Sequence, residues 1–171
     1  MTHSQFDLEY CLVTRLKPYD RNARTHSKKQ VRQIADSIKR FGFTNPVLIS
    51  DANEIIAGHG RVAAARLLGI EEVPTLRLSH LSEEERRAYV IADNKLALNA
   101  GWDHEILAIE LQALIDLEFD VTVTGFSLAE VDLVLDSANE AEAAGPEEEA
   151  ENLVPPIPQH PVSRSGDVWE L

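Results

Sequence analysis

Gly58-His59-Gly60-Arg61 is the segment of this chain whose residue types and spacing best suit chemistry. An apolar run, Glu54-Ile55-Ile56-Ala57, leads into it, and Val62-Ala63-Ala64-Ala65-Arg66-Leu67-Leu68-Gly69 follows. The pattern reads as strand, glycine turn, helix. Two glycines let the backbone turn sharply and approach a ligand closely. The helix behind them offers unpaired N–H groups and the positive end of its dipole, where an anion docks readily. Arg61 adds a permanent forked cation and His59 a titratable one. Phosphate is the matching ligand. The Lys-Ser/Thr pair of a Walker A loop is missing after the glycines.

Three further groups belong in the same argument. Asp93-Asn94-Lys95 follows the apolar Tyr89-Val90-Ile91-Ala92, late in a helix. A carboxylate beside an amide supplies hard oxygen ligands for a divalent cation, which would bridge nucleotide phosphates. The same residues would serve equally as a polar helix end facing water. Arg21, Asn22 and Arg24 lie on an early polar loop that could reach the glycine turn. Thr44 and Asn45 stand just before a strand, where a sugar or base could be met. His3, His26, His80, His104 and His160 are scattered and expected to be exposed, and no Cys/His cluster suits zinc. Spacing alone supports no Ser-His-Asp set.

The elements that must position these residues are legible from periodicity. Phe6–Leu16 reads as a strand, with Leu8, Tyr10, Leu12 and Leu16 on one parity. Cys11, the single cysteine, is expected to pack within it, and no internal disulfide framework can form. Ser27 and Gln30 form a capping box that opens a helix with Val31, Ile34, Ala35, Ile38 and Phe41 on its apolar stripe, stopped by Gly42. Pro46–Ser50 is a short buried strand, and Asp51-Ala52-Asn53 turns it into a hairpin with Glu54–Ala57. The helix from about Arg61 ends at Gly69. Val73–Leu78 is a further strand, expected at an edge because of Pro74. Ser82 with Glu85 opens a helix to about Leu98. Asp103 caps another that places Ile106, Leu107, Leu111, Leu114 and Ile115 inside. Ser127 with Glu130 precedes Val131, Val134 and Leu135.

The chain has 171 residues and a net charge of −13. The charge is graded: residues 1–80 carry +4, 81–136 carry −10, and 137–171 carry −7. A polyanion would therefore meet the first half and be repelled by the rest. No apolar run is long enough to span a bilayer, and Met1–Asp7 lacks the basic and apolar regions of a signal peptide, so a reducing, cytoplasmic setting is expected. Glu140–Glu151 lacks large apolar groups and is expected to be disordered; Asn152–Pro161, with four prolines, reads as an extended linker. Ser163–Leu171 reads as the first strand of a following domain.

Taken together, Leu16-Lys17-Pro18 with Asn22-Ala23-Arg24, Ile34–Val47, Ile55–Ala65, Gly69–Pro74 and Ile91–Lys95 resemble the ParB/sulfiredoxin-fold family over about residues 8–98, in order and in spacing. The resemblance implies an α/β fold, a small mixed sheet with flanking helices. It implies that Gly58, His59, Gly60 and Arg61 hold the phosphates of a nucleoside triphosphate (ATP or CTP), to which the loop and strand reading adds Asn22, Arg24 and Thr44 as expected nucleotide contacts. Asp93 and Asn94 would then hold Mg2+. Where ParB proteins carry Gly-Glu-Arg-Arg, this chain has Gly58-His59-Gly60-Arg61; where sulfiredoxins place a catalytic cysteine, it has His59. The Gly-His-x-Arg form is similar to free-serine kinases of this fold and to ParB-like domains fused in front of bacterial and phage DNA methyltransferases. The acidic linker and Ser163–Trp169 favour the latter. Partition proteins place a helix-turn-helix module after the position of residue 98, whereas 103–136 here is acidic and not expected to lie on phosphates.

The expected organisation is a nucleotide-binding domain over 1–100, a helical appendage over 101–137, a linker over 138–162 and the start of another domain over 163–171. The expected function is that of a nucleotide-binding, DNA-associated regulatory domain of a DNA-modification methyltransferase. DNA and nucleotide are its expected partners, with a second copy of the chain as a further one, and no membrane. His59 is the first choice for positioning water if hydrolysis occurs. The alternatives are a stand-alone nuclease or NTPase, or a small-molecule (serine-type) kinase with Glu9 as its carboxylate.

Overall fold

The computed structural model describes residues 7–144, with side chains to Glu140. The expected linker beyond 144 and the strand over Ser163–Leu171 lie outside the described residues. The elements run β1 (Leu8–Leu12), a 3-10 turn (Val13–Arg15), α1 (Lys28–Phe41), β2 (Val47–Ile49), β3 (Ile55–Ala57), α2 (His59–Leu68), β4 (Glu72–Arg77), α3 (Glu83–Leu98), α4 (His104–Asp116), a second 3-10 turn (Val121–Thr124) and α5 (Leu128–Ala144). The fold is mixed α/β, as the sequence implies. The final helix continues past Ser137, into the segment expected to be linker.

The four strands form one sheet in the order β1-β4-β2-β3. β4 pairs antiparallel with β1 and parallel with β2, and β2 and β3 form the antiparallel hairpin. β4 is thus interior, not an edge strand. The register explains how Pro74 is tolerated. Val13 N–H donates to Glu71 O at 2.8 Å, so Glu71, Val73 and Thr75 are the hydrogen-bonding positions toward β1. Pro74 opposes Tyr10 at a non-bonded position, and pairing with β2 begins only at Thr75. The missing N–H is asked for on neither side.

β1 is shorter than expected and its parity is reversed. Leu8 and Tyr10 are 57% and 67% exposed, whereas Val13 and Leu16 enter the core and Cys11 packs against it. The 3-10 turn after Leu12 rotates the chain, so a single two-residue period does not extend from Leu8 to Leu16.

Val13, Leu16, Val47, Ile49, Ile55, Val62, Ala65 and Val73 form the main core, between the sheet and α2. Ile56, Leu78 and Val90 form a smaller cluster that holds α3 on the sheet. Leu107, Leu111, Val121 and Val131 form a third beneath α4 and α5. Ile106 and Ile115, expected inside, lie outside this cluster and are 59% and 39% exposed. Helices α1, α3, α4 and α5 start at their expected caps: Ser27 Oγ accepts from Gln30 N, Ser82 and Glu85 complete a reciprocal box, Asp103 accepts from Ile106 N, and Ser127 and Glu130 pair. The Ser27 box is only half made, because Gln30 Oε1 faces His26 Nδ1 at 3.1 Å.

Candidate phosphate cradle and its neighbours

β3 leaves the sheet at Ala57, and Gly58 turns the chain with φ +101°, a left-handed conformation suited to glycine. Helix α2 begins at once, at His59 rather than Arg61. Its first internal bond runs from Val62 N–H to Gly58 O at 3.0 Å, which leaves the N–H groups of His59, Gly60 and Arg61 outside the helical ladder. Gly60 is closely packed against side-chain ends. A Cβ there would lie 2.9 Å from Ile34 Cδ1 and 3.1 Å from His26 Cε1, so the glycine lets α1 and α2 meet.

Arg61 folds back over the turn. Its Nη2 donates to Pro46 O at 3.2 Å, while its Nε is buried with no hydrogen-bond partner. Burial lowers the guanidinium below its ordinary value, and the nearby Asp93 charge acts in the opposite direction. His59 Nε2 accepts from the Tyr19 backbone N–H at 3.3 Å. The neutral ring therefore carries its proton on Nδ1. Burial and then the neighbouring His26 hold the His59 pKa below its ordinary value.

A cavity of about 180 Å³ lies over this turn. Gly58, His59, Gly60 and Arg61 line one side of it, Asn22, His26, Asp93 and Asn94 add polar groups, and Ile34, Ile56 and Ala57 supply apolar wall. The structure thus brings together the glycine turn, the early loop and the late α3 pair. Arg24 and Thr44 are not part of this lining. Arg24 lines an adjoining cavity and donates through Nη1 to Asn94 O at 3.3 Å. Thr44 lines a third hollow, of about 350 Å³, with Asn45, Arg61 and the Val123–Gly125 turn. Glu9 is remote from the cradle: its carboxylate pairs with Arg77 at 3.4 Å.

His26 is the residue that sequence reasoning missed. It is half-buried in the cradle wall rather than exposed. The available signal was only its position just before the Ser27 cap.

Asn94 Nδ2 donates one of its two N–H groups to Val90 O at 2.8 Å, which fixes the amide within α3, and Oδ1 is its ligand atom. With the Asp93 carboxylate this makes a sparse oxygen set. It fits a magnesium ion that brings waters and phosphates of its own better than a stand-alone metal cage. Among the described residues no group of three or more His, Cys, Asp or Glu side chains is arranged to hold a metal.

A small mixed sheet whose hairpin feeds a glycine turn and helix, faced by an Asp-Asn pair, is the architecture of a ParB-like domain. The ParB N-terminal domain profile matches residues 4–95, and the chain belongs to that family. The profile of the ParB-methyltransferase HTH domain matches residues 105–165. The acidic segment set apart by its charge from a partition-protein module thus still matches a helix-turn-helix family.

The chain is 54% identical over 78 residues to the ParB-like nuclease domain-containing protein YnaK of Escherichia coli (strain K12), covering 46% of this chain and 90% of that protein. It is 35% identical over 69 residues to the probable plasmid-partitioning protein ParB of Thermus thermophilus, covering 39% of this chain but only 23% of that protein. Among solved structures, the C-terminally truncated ParB of Caulobacter crescentus, complexed with CTP-gamma-S, aligns with a TM-score of 0.66 at 19% identity, covering 81% of this chain and 83% of that one. No helix among the described residues is long and apolar enough to cross a membrane.

Proposed function

We propose that this chain is a nucleotide-binding, DNA-associated regulatory domain that works with a DNA-modification methyltransferase in the cytoplasm. The observation that carries the nucleotide reading is the shared cavity of Gly58–Arg61 and Asp93-Asn94, with the buried Arg61 Nε facing no protein partner. An orphaned guanidinium nitrogen is costly in a folded protein, and an anionic oxygen would satisfy it. The fold neighbour from Caulobacter crescentus, complexed with CTP-gamma-S, supports CTP as the first nucleotide to test, with ATP second. The methyltransferase association rests on the family matched by residues 105–165.

In this reading the N–H groups of His59, Gly60 and Arg61 receive phosphate oxygens at the start of α2. Arg61 adds a charged donor from the side. His59 contributes as a donor through Nδ1, because its basic Nε2 is held by Tyr19 N–H. Acting as a base on water would require release of that bond. Asn22 and Arg24 order the early loop through paired bonds, Asn22 Nδ2 to Arg24 O and Arg24 N to Asn22 Oδ1, at 3.1 and 3.2 Å. Asp93 and Asn94 Oδ1 would hold Mg2+, which neutralises phosphate charge when bound. Thr44 shares a hollow with Arg61, where it would meet the sugar or base.

Isothermal titration with CTP and with ATP, each with Mg2+, tests this. Arg61→Ala should weaken binding by about 1.5–3 kcal/mol, the worth of charged hydrogen bonds. Equal affinities for variant and parent refute the assignment. A nuclease is the second reading, because the Escherichia coli relative is named for such a domain. Mg2+-dependent plasmid nicking that disappears in Asp93→Ala would favour it. The serine-kinase alternative loses its proposed carboxylate, since Glu9 is paired with Arg77 away from the cradle.

A further inference from the structure

Beside the cradle lies a second cavity, of about 580 Å³, between the early loop and α3. Its chemistry differs from that of the cradle. Arg21 and Arg24 stand on the loop wall, Arg87 and Lys95 on the α3 wall, and Tyr19, Val90, Ile91 and Leu98 supply apolar surface between them. No carboxylate lines it. None of the four cations makes an ion pair within the described residues; Glu84, one turn before Arg87, senses its charge without reaching it. Such a concentration of unpaired cations stands out in a chain of net charge −13.

Arg87, Ile91 and Lys95 succeed one another four residues apart and so share a helix face. The two cations are separated by about 12 Å along α3 at 1.5 Å per residue. That length spans a few phosphodiester units, with an apolar step midway.

The helical lobe offers no comparable surface for phosphate. Residues 101–140, within or beside the helix-turn-helix match, contain ten Asp or Glu and no Lys or Arg. A nucleic acid lying there would meet only repulsion.

We infer that the groove between the early loop and α3 binds a short single-stranded nucleic acid. Its backbone lies along Arg21, Arg24, Arg87 and Lys95, and a base rests on Tyr19 and Ile91. Apolar and aromatic platforms flanked by cations are how single strands are held without sequence preference. The inference is independent of nucleotide binding in the cradle, which it adjoins through Asn94.

Fluorescence anisotropy of a short labelled oligo(dT), titrated with the 171-residue chain across a salt series, provides the test. Saturable binding is expected, weakened at least about ten-fold in Arg87→Gln/Lys95→Gln, with the slope of log K against log salt reduced by about 1.4 for two lost single-strand phosphate contacts. Ile91→Ser should weaken binding without changing that slope. Both variants alter exposed side chains, and unchanged melting temperatures would confirm that they fold. Arg61→Ala should bind the oligonucleotide as the parent does. The inference is overturned by absent saturable binding, by unchanged affinity in the double variant, by equal affinity for a duplex of the same length, or by complete displacement with CTP and Mg2+, which would move the strand to the cradle.

Discussion

Arg61 is asked to do two things. One of its nitrogens donates to Pro46 O, just before β2 enters the sheet, and another is left buried and unpaired. Replacing it should therefore lower stability as well as affinity, and the two effects should separate under denaturation with and without nucleotide. Gly58 supports the same geometry. An added Cβ would lie 2.9 Å from Arg61 Nη2, and φ is +101°. Gly58→Ala should cost about 1–3 kcal/mol through backbone strain and displace the guanidinium, read as a lower denaturant midpoint and lost nucleotide affinity. His59 gives a pH dependence whose sign follows from its lowered pKa. The folded chain binds this proton less readily than the unfolded chain. Stability from the neutral ring is whole above about pH 6.5 and declines as pH falls through the folded pKa. A melting-temperature profile from about pH 8 to about pH 5 should flatten on that limb in His59→Gln; an unchanged limb would remove His59 as its source.

At the scale of elements, the weakest attachment in the cradle is α3. Its 16 residues bury one side chain, Val90, against Ile56 and Leu78. Val90→Ala should cost about 1–2 kcal/mol, from lost burial and the cavity left behind, and loosen the helix that carries Asp93 and Asn94. Faster amide exchange along α3 than along α2 would register this. The helices were legible because their signals are local: caps at Ser27, Ser82, Asp103 and Ser127, and apolar stripes on α1 and α5. The early strand and β4 were not, for non-local reasons. Which parity of β1 is buried depends on the 3-10 turn that follows it, and whether Pro74 may sit inside a sheet depends on the register of two partner strands. The cradle was readable as a motif, and Asp93-Asn94 as chemistry. Their meeting, and the entry of His26 between them, depend on the α1–α2 approach at Gly60, which no spacing encodes.

Across the whole molecule, α1 joins the two halves. Phe41 stacks on Phe119 with centroids 6.4 Å apart, Arg40 lies 4.7 Å over the same ring, and Gln33 Nε2 donates to Gly125 O at 2.7 Å. Val123, Thr124 and Gly125 thereby wall the hollow that holds Thr44 and Arg61. Phe119→Ala removes both ring contacts and should split a single calorimetric transition into two, since the helical lobe keeps its own Leu107–Val131 cluster. One unsplit transition would mean that the remaining contacts suffice.

The bond from Tyr19 N–H to the His59 ring has a practical corollary. The loop's amide is masked from solvent only while the imidazole keeps a lone pair to receive it. Deuterium uptake at Tyr19 should then rise on acidification, against the usual slowing of amide exchange in mild acid. One backbone position would thus disclose the protonation of a side chain forty residues away.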